Sequence, residues 1–144
     1  MCIRDSKNIA ESLEGIDLFW ASGGNAFVLN LAMSLSGFDK CIKEKLLKKK
    51  VVYGGYSAAS VVAGQTLKGI DLVDKTNDFP IDYPETNLVW DGLGLVDYSI
   101  APHFNSNHSE SNSIDQLVSY LKSNNLPFKC LRDGEVIVVG GEKL

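Results

Sequence analysis

The segment from Val51 to Gly64 constrains this chain more than any other. An apolar run meets two glycines, a tyrosine and Ser57, and small residues that suit a tightly packed helix follow at once. Acyl-transfer hydrolases need such a strand-to-helix turn to expose a hydroxyl at the carboxyl end of a strand. A serine that merely caps the helix would give the same pattern. The segment therefore predicts either a nucleophile or an N-cap at position 57.

Strands and helices alternate along the chain. Three segments are typical of buried strands, and three others repeat apolar residues at helical spacing: IDLFWASGG, VVYGG and LVDYSIAPHF, then NAFVLNLAMSL, FDKCIKEKLLKKK and SIDQLVSYLKSN. The run FKCLRDGEVIVVGG has an Asp-Gly turn between two apolar stretches, which predicts a C-terminal hairpin. This order predicts an α/β fold, a three-layer, largely parallel sheet flanked by helices. Residues 64–93 are expected to form a long loop with one short element.

Composition excludes several classes of protein. The chain has 144 residues, enough for one domain, and its net charge of −4 argues against a nucleic-acid partner. No apolar run approaches the roughly 18 residues of a membrane span. Cys2, Cys41 and Cys130 are widely spaced and form no CxxC, which argues against a disulfide framework or zinc site. We expect reduced thiols, a cytoplasmic location, and no metal or organic cofactor.

His103 makes the nucleophile interpretation of Ser57 stronger. It directly follows a predicted strand, behind Pro102, and the chain has only two histidines. In a parallel sheet the carboxyl ends of the strands meet at one edge, so Ser57 and His103 are expected on the same edge. A neutral imidazole there can take the serine proton and return it to the leaving group. The other histidine, His108, is expected to be exposed in a polar loop.

An acidic side chain should orient the imidazole. Asp133 is the first candidate because it ends the last predicted strand, although Asp-Gly is also the standard pair for a tight turn. Glu135 and Glu110 are the alternatives. The sequence leaves these three acids open.

Gly23, Gly24 and Asn25 form a further candidate group. Glycines after a strand let the backbone approach a substrate closely, so one of their N–H groups could stabilise an oxyanion together with the N–H groups that open the helix after Ser57. Asn25 is as well explained by a helix cap as by contact with a substrate. Because GxGxxG and Walker A patterns are absent from the sequence, no nucleotide is implied.

These motifs together resemble one family. SGGNAFVL, YGGYSAASVVAG, GLGLVDYSIAPHF and LRDGEVIVV occur in the order found in the peptidase E family, which includes the α-aspartyl dipeptidases. The resemblance implies the flavodoxin-like fold of the class I glutamine amidotransferases. It also implies that Ser57 is the nucleophile, His103 the base and Asp133 the acid, that Gly24 and Ala58 form the oxyanion hole, and that Asn25 binds substrate.

The chain departs from the family at three positions. Asp133 replaces the more frequent glutamate, Ala26 the usual threonine or glutamine, and Ala59 the usual glycine. Ala59 adds a methyl group at the turn. Family members also carry strands before the first matched motif, so we expect a single domain over residues 1–144 that lacks them.

The resemblance predicts a serine peptidase that cleaves small peptides through an acyl-enzyme. A specificity for aspartyl peptides would need a cation, and the nearest in sequence are Lys129 and Arg132. The alternatives are a catalytically silent binding or scaffold protein that keeps the fold, and an amidotransferase, which would need a cysteine at position 57.

Overall fold

The computed structural model describes residues 9–48, 51–81, 83 and 87–140. Within these ranges the helices are α1 (Ile9–Ser12), α2 (Ala26–Ser36), α3 (Phe38–Leu47), α4 (Ala58–Ala63) and α5 (Ser111–Ser123). The strands are β1 (Leu18–Ala21), β2 (Val52–Gly55), β3 (Ser99–Ala101) and β4 (Phe128–Cys130). This alternation confirms the α/β class. Ile9 and Leu13 are four residues apart, which predicts a helix over residues 6–14, and the beginning of that segment lies outside the described residues.

All the strand pairs are parallel, as the sequence predicts. β1 pairs with β2 from Leu18–Val52 to Ala21–Gly55, and β3 pairs with β4 from Ser99–Phe128 to Ala101–Cys130. Among the described residues these pairs form two separate ladders and not one continuous sheet. Tyr53 of β2 and Ile100 of β3 instead line a largely apolar cavity of about 560 Å³.

The C-terminal hairpin forms only in part. Its turn is present, because the N–H of Glu135 donates to the carbonyl of Arg132 at 3.0 Å and Gly134 has a φ of +91°. Residues 135–140 after the turn belong to no strand. Val136 and Val138 are 80% and 71% exposed, so in the described part of the chain no layer covers these two side chains.

Capping hydrogen bonds and backbone conformation determine where the helices begin and end. Asn25 caps α2 with its side-chain oxygen, and Gly37 ends that helix with a φ of 75°. Helix α5 buries one apolar face against the core: Ile114, Leu117, Val118 and Leu121. No helix in the described ranges is both long and apolar enough to cross a membrane.

The long segment between α4 and β3 holds one 3-10 turn, Ile70–Leu72, as expected. Its second half is tied to the end of α4, since the N–H of Leu93 donates to the carbonyl of Val62 at 2.7 Å. The buried amide of Asn30 donates to the carbonyls of Val89 and Asp91 at 2.9 and 3.0 Å. These bonds fix α4, and therefore the residue that precedes it, against α2.

Candidate active site

Ser57 stands between β2 and α4 in a rare backbone conformation. Its φ is 53° and its ψ is −122°, and its side chain makes no cap hydrogen bond to α4. A non-glycine residue held in such a region costs about 1–3 kcal/mol, and this strain is the mark of a nucleophile elbow. The alternative role, an N-cap that accepts from the first helical N–H groups, does not describe this serine.

Two glycines make room for the turn. A Cβ on Gly23 would lie 3.1 Å from the Cβ of Ser57, and a Cβ on Gly55 would lie 2.5 Å from the Cβ of Ala59. The methyl group of Ala59 is fully buried and fits because residue 55 has no side chain. The added bulk that sequence comparison identifies at position 59 is therefore accommodated.

His103 follows β3 with a φ of 59°. Its Nδ1 lies 2.7 Å from Oδ1 of Asp133, and the two side chains are 13% and 50% exposed. Its Nε2 is buried and has no hydrogen-bond partner among the described residues, so Ser57 is not bonded to it in this state. A carboxylate that accepts from Nδ1–H leaves Nε2 as the basic nitrogen, which is the tautomer a general base requires.

Asp133 is held in place by the loop that carries His103. The hydroxyl of Ser106 accepts from the N–H of Asp133 at 2.9 Å and donates to the carbonyl of Phe104 at 3.2 Å. The turn role and the contact with the imidazole therefore coexist in Asp133. Of the two alternatives, Glu135 accepts from the N–H of Arg132, and Glu110 lies 3.9 Å from His108. Neither is the hydrogen-bond partner of His103.

Backbone N–H groups face the turn from two elements. Gly24 follows β1 with a φ of +134°, and Ala58 opens α4. In the part of the chain that the structure describes, neither N–H donates a hydrogen bond. Free donors of this kind are what an oxyanion hole requires. Their part in catalysis stays a prediction.

Both ends of the Asn25 side-chain amide make hydrogen bonds within the protein. Its Oδ1 accepts from the N–H groups of Phe27 and Val28, and its Nδ2 donates to the carbonyl of Lys75 at 2.8 Å. The cap interpretation therefore accounts for both ends of the amide. Asn25 does line the same cavity as Ser57, and its contact with substrate stays a prediction.

An open cavity of about 480 Å³ collects these groups: Gly24, Asn25, Ser57 and His103 line it together with Asp74, Lys75, Asp78, His108 and Glu110. A smaller adjoining cavity is lined by Gly24, Ser57 and Ala58. The sequence analysis missed Asp74, Lys75 and Asp78, because nothing in their irregular segment indicates which edge of the sheet it crosses. The accumulation of charged residues in a long loop was the available signal.

His108 corrects one expectation. It was predicted to be exposed, yet its ring stacks on that of His103 with centroids 3.7 Å apart and an interplanar angle of 7°, and its side chain is 33% exposed. Four residues of loop separate the two histidines, and the positive φ values of His103 and Asn105 fold that loop back. The stack restricts the orientation of the candidate base.

Asp74 is a partly buried acid of the cavity. Burial raises the pKa of its carboxyl, the hydrogen bond from the N–H of Ala26 at 2.7 Å opposes that shift, and the negative charge of Glu110 adds to it. A carboxyl that is costly to ionise within a cleft is typical of functional sites.

The two ladders divide the candidate machinery between them. Gly24 and Ser57 follow β1 and β2, whereas His103 and Asp133 follow β3 and β4. Each pair stands at the carboxyl ends of its parallel strands, the edge where ligands of open α/β sheets bind.

Comparison with known proteins agrees with this arrangement. The chain is 29% identical over 138 residues to a "Probable alpha-aspartyl dipeptidase" of Drosophila melanogaster, with 92% of this chain and 54% of that protein covered. It is 29% identical over 136 residues to "Peptidase E" of Streptomyces coelicolor, covering 91% and 52%. The chain thus spans about half the length of these curated relatives.

A solved structure gives the same result. A crystal structure from Listeria monocytogenes, described as a "Putative Peptidase E Protein", matches 84% of this chain and 53% of its own length, with a TM-score of 0.66 and 28% identity. The model of peptidase family S51 matches residues 3–144. The strained serine, the histidine–aspartate pair and these matches lead to one conclusion: the chain belongs to peptidase family S51.

Proposed function

We propose that this protein is a serine hydrolase that cleaves small peptides through Ser57, His103 and Asp133. The observation that carries the proposal is the strained Ser57 at the end of β2, which shares a cavity with a histidine whose Nδ1 lies 2.7 Å from a carboxylate. Strain at Ser57 exposes a hydroxyl, and the His103–Asp133 pair supplies a base in the required tautomer.

The proposed reaction begins when the Oγ of Ser57 attacks the peptide carbonyl and passes its proton to Nε2 of His103. Asp133 stabilises the imidazolium that forms. The N–H groups of Gly24 and Ala58 donate to the oxyanion of the tetrahedral intermediate. His103 then protonates the leaving amine. A water molecule next attacks the acyl-enzyme while Nε2 of His103 takes its proton, and His103 returns that proton to the Oγ of Ser57 as the acyl group leaves. The free Nε2 of His103 is available to this proton, and the contact with Ser57 closes when substrate binds.

The charges of the cavity favour a short peptide with free ends. Lys75 provides an ammonium group that the sequence analysis did not consider, and Asp74, Asp78 and Glu110 provide carboxylates. A small peptide carries an ammonium and a carboxylate, and each finds a complementary charge here.

Cys41 and Cys130 are unpaired thiols, which supports action in the reducing cytoplasm.

Fluorophosphonate labelling of the full chain tests the proposal, because the probe reacts only with an activated serine. We expect labelling of the wild type and its loss in Ser57→Ala and His103→Ala. The matched control is Ser109→Ala, which removes an exposed serine from the His103 loop and should keep the labelling. A folded wild type that resists the probe would favour the silent binding protein instead.

A further inference from the structure

A second set of potential ligands lies beside the proposed base. One nitrogen of His103, one nitrogen of His108 and one carboxylate oxygen of Glu110 lie within 4.8 Å of one another. All three side chains are partly buried and line the cavity of Ser57. Two imidazoles and a carboxylate are the ligands that zinc takes most readily in open sites.

The contact of His103 with Asp133 favours metal binding at the other ring nitrogen. Asp133 holds Nδ1, and Nε2 is buried without a hydrogen-bond partner in the described residues. A carboxylate on one nitrogen fixes the ring and raises the basicity of the other, which is the arrangement found behind metal-bound histidines. The orphaned Nε2 is therefore as suited to a cation as to the proton of Ser57.

His108 and Glu110 can adjust to complete the set. Nδ1 of His108 accepts only a long hydrogen bond, 3.2 Å, from the N–H of Glu110, and the Glu110 carboxylate lies 3.9 Å from the same nitrogen. Tetrahedral zinc with bonds of about 2.0–2.1 Å brings ligand atoms to roughly 3.4 Å. The group must therefore contract by up to about 1.4 Å. His108 must also rotate out of its stack on His103, because the nitrogen lone pairs of two parallel rings do not converge on one ion. The side chains of His108 and Glu110, which are 33% and 40% exposed, have room for these rotations.

The surrounding charge favours a cation. Asp74 and Asp78 line the same cavity, and Lys75 is the single lysine or arginine among its described lining residues. A cleft lined by more carboxylates than ammonium groups concentrates divalent cations.

We propose that His103, His108 and Glu110 form an inhibitory site for zinc or a similar divalent transition ion. The metal binds Nε2 of His103, and its fourth position remains open to the cavity. While bound, it occupies the nitrogen that would accept the proton of Ser57, so the serine stays unactivated. The inhibition rests on the proposed function, whereas metal binding does not.

Metal binding is measured first, without any substrate. Co²⁺ is titrated into the full chain and followed by its visible absorption, and Zn²⁺ affinity is measured by competition with a chromogenic chelator. We expect one ion per chain. His108→Phe keeps a stacked ring but removes the ligand nitrogen, and Glu110→Gln keeps the shape but removes the charge. Each should weaken Zn²⁺ binding by roughly 100-fold or more, and Asp133→Asn by about 10–100-fold.

Asp115→Asn is the matched control, since it removes an exposed carboxylate from α5 and should leave the affinity unchanged. Circular dichroism establishes that each variant is folded. A wild type that binds no Zn²⁺, or variants that bind as tightly as the wild type, would overturn the proposal.

The inhibitory step is read from fluorophosphonate labelling with and without Zn²⁺. We expect Zn²⁺ to suppress labelling of the wild type and a chelator to restore it. Labelling that proceeds unchanged on the zinc-loaded chain would overturn the inhibition. If the wild type binds Zn²⁺ through these residues but never reacts with the probe, the metal site stands and the proposed hydrolase fails.

Discussion

Ser57 and Asn125 have the same φ, 53°, at two very different places. Asn125 follows helix α5, where its N–H donates to the carbonyl of Lys122 and the next N–H, of Leu126, donates to the carbonyl of Leu121. These two bonds form a Schellman motif, in which a left-handed residue satisfies the last carbonyls of a helix. Asparagine tolerates that conformation well. At Asn125 the backbone geometry serves the fold.

Ser57 forms no Schellman motif, and its carbonyl accepts from the N–H groups of Ser60 and Val61, as happens at the start of a helix. Its ψ of −122° lies outside the left-handed helical well, and its side chain bonds to none of the N–H groups that open α4. The energy that holds it comes from the buried small residues around it, such as Ala58 and Ala59. The difference teaches that the left-handed conformation of Asn125 is what a helix end requires, whereas the φ and ψ of Ser57 lie in a region that neither a helix start nor a helix end requires.

Substitution by glycine at position 57 and at position 125 should give the largest difference in activity. Ser57→Gly should lower peptidase activity by about 10³–10⁶-fold because the nucleophile is gone, whereas Asn125→Gly should leave activity unchanged. Both should unfold at higher urea concentration than the matched alanine variants, since glycine adopts a positive φ without strain, and for Ser57 the gain over Ser57→Ala is about 1 kcal/mol. An active Ser57→Gly would remove the distinction between the two sites.

Asp133→Asn tests the carboxyl end of the β3–β4 ladder, where His103 also has a positive φ. The amide can favour the wrong imidazole tautomer, so we expect kcat to fall by about 10⁴-fold with little change in KM. Glu135→Gln is the control, because that carboxylate bonds to the backbone of Arg132 and not to His103. Equal losses in the two variants would contradict a special role for Asp133.

Gly55→Ala tests whether packing holds the elbow. The new methyl would lie 2.5 Å from the Cβ of Ala59 and 2.7 Å from the carbonyl oxygen of Ala21, so we expect a loss of about 1–3 kcal/mol in the free energy of unfolding. Adding Ala59→Gly should recover part of it, since the backbone contact with Ala21 persists. Full recovery, or no loss at all, would show that the space at position 55 is not limiting.

Asp74→Asn has the smallest expected effect. The folded state holds the Asp74 proton more tightly than the unfolded chain, so stability falls as pH rises from the ordinary pKa of 3.8 through the raised one. Asparagine removes this loss. The variant should therefore gain stability over the wild type as pH rises above about 4, measured by urea unfolding at a series of pH values.

The sequence was sufficient for the parts of the fold that depend on local pattern. The spacing of Phe27 and Leu31 predicts α2, and that of Ile114, Leu117 and Val118 predicts α5, because periodic burial determines both. Because the carboxyl ends of parallel strands share an edge, the sequence also predicts that His103 lies near Ser57, and the two residues do line the same cavity. His103 and Asp133 were paired by family resemblance, and their 2.7 Å contact agrees with it.

The remaining features depend on contacts that no local pattern encodes. Val136 and Val138 have the composition of a strand, but a strand also needs a partner, and none faces them in the described ranges. Lys75 reaches the cavity through the path of an irregular segment, and His108 reaches His103 through a loop reversal. Both depend on tertiary packing.

The separation of the two ladders has a mechanical consequence. The proposed nucleophile follows strand β2 of one ladder, and the proposed base and acid follow the strands of the other, where the hydroxyl of Ser106 links their two loops. Backbone hydrogen bonds set the register within each ladder, and among the described residues no strand pairing joins one ladder to the other. The alignment of the proposed triad therefore depends on packing between the two ladders, part of which surrounds the apolar cavity lined by both β2 and β3.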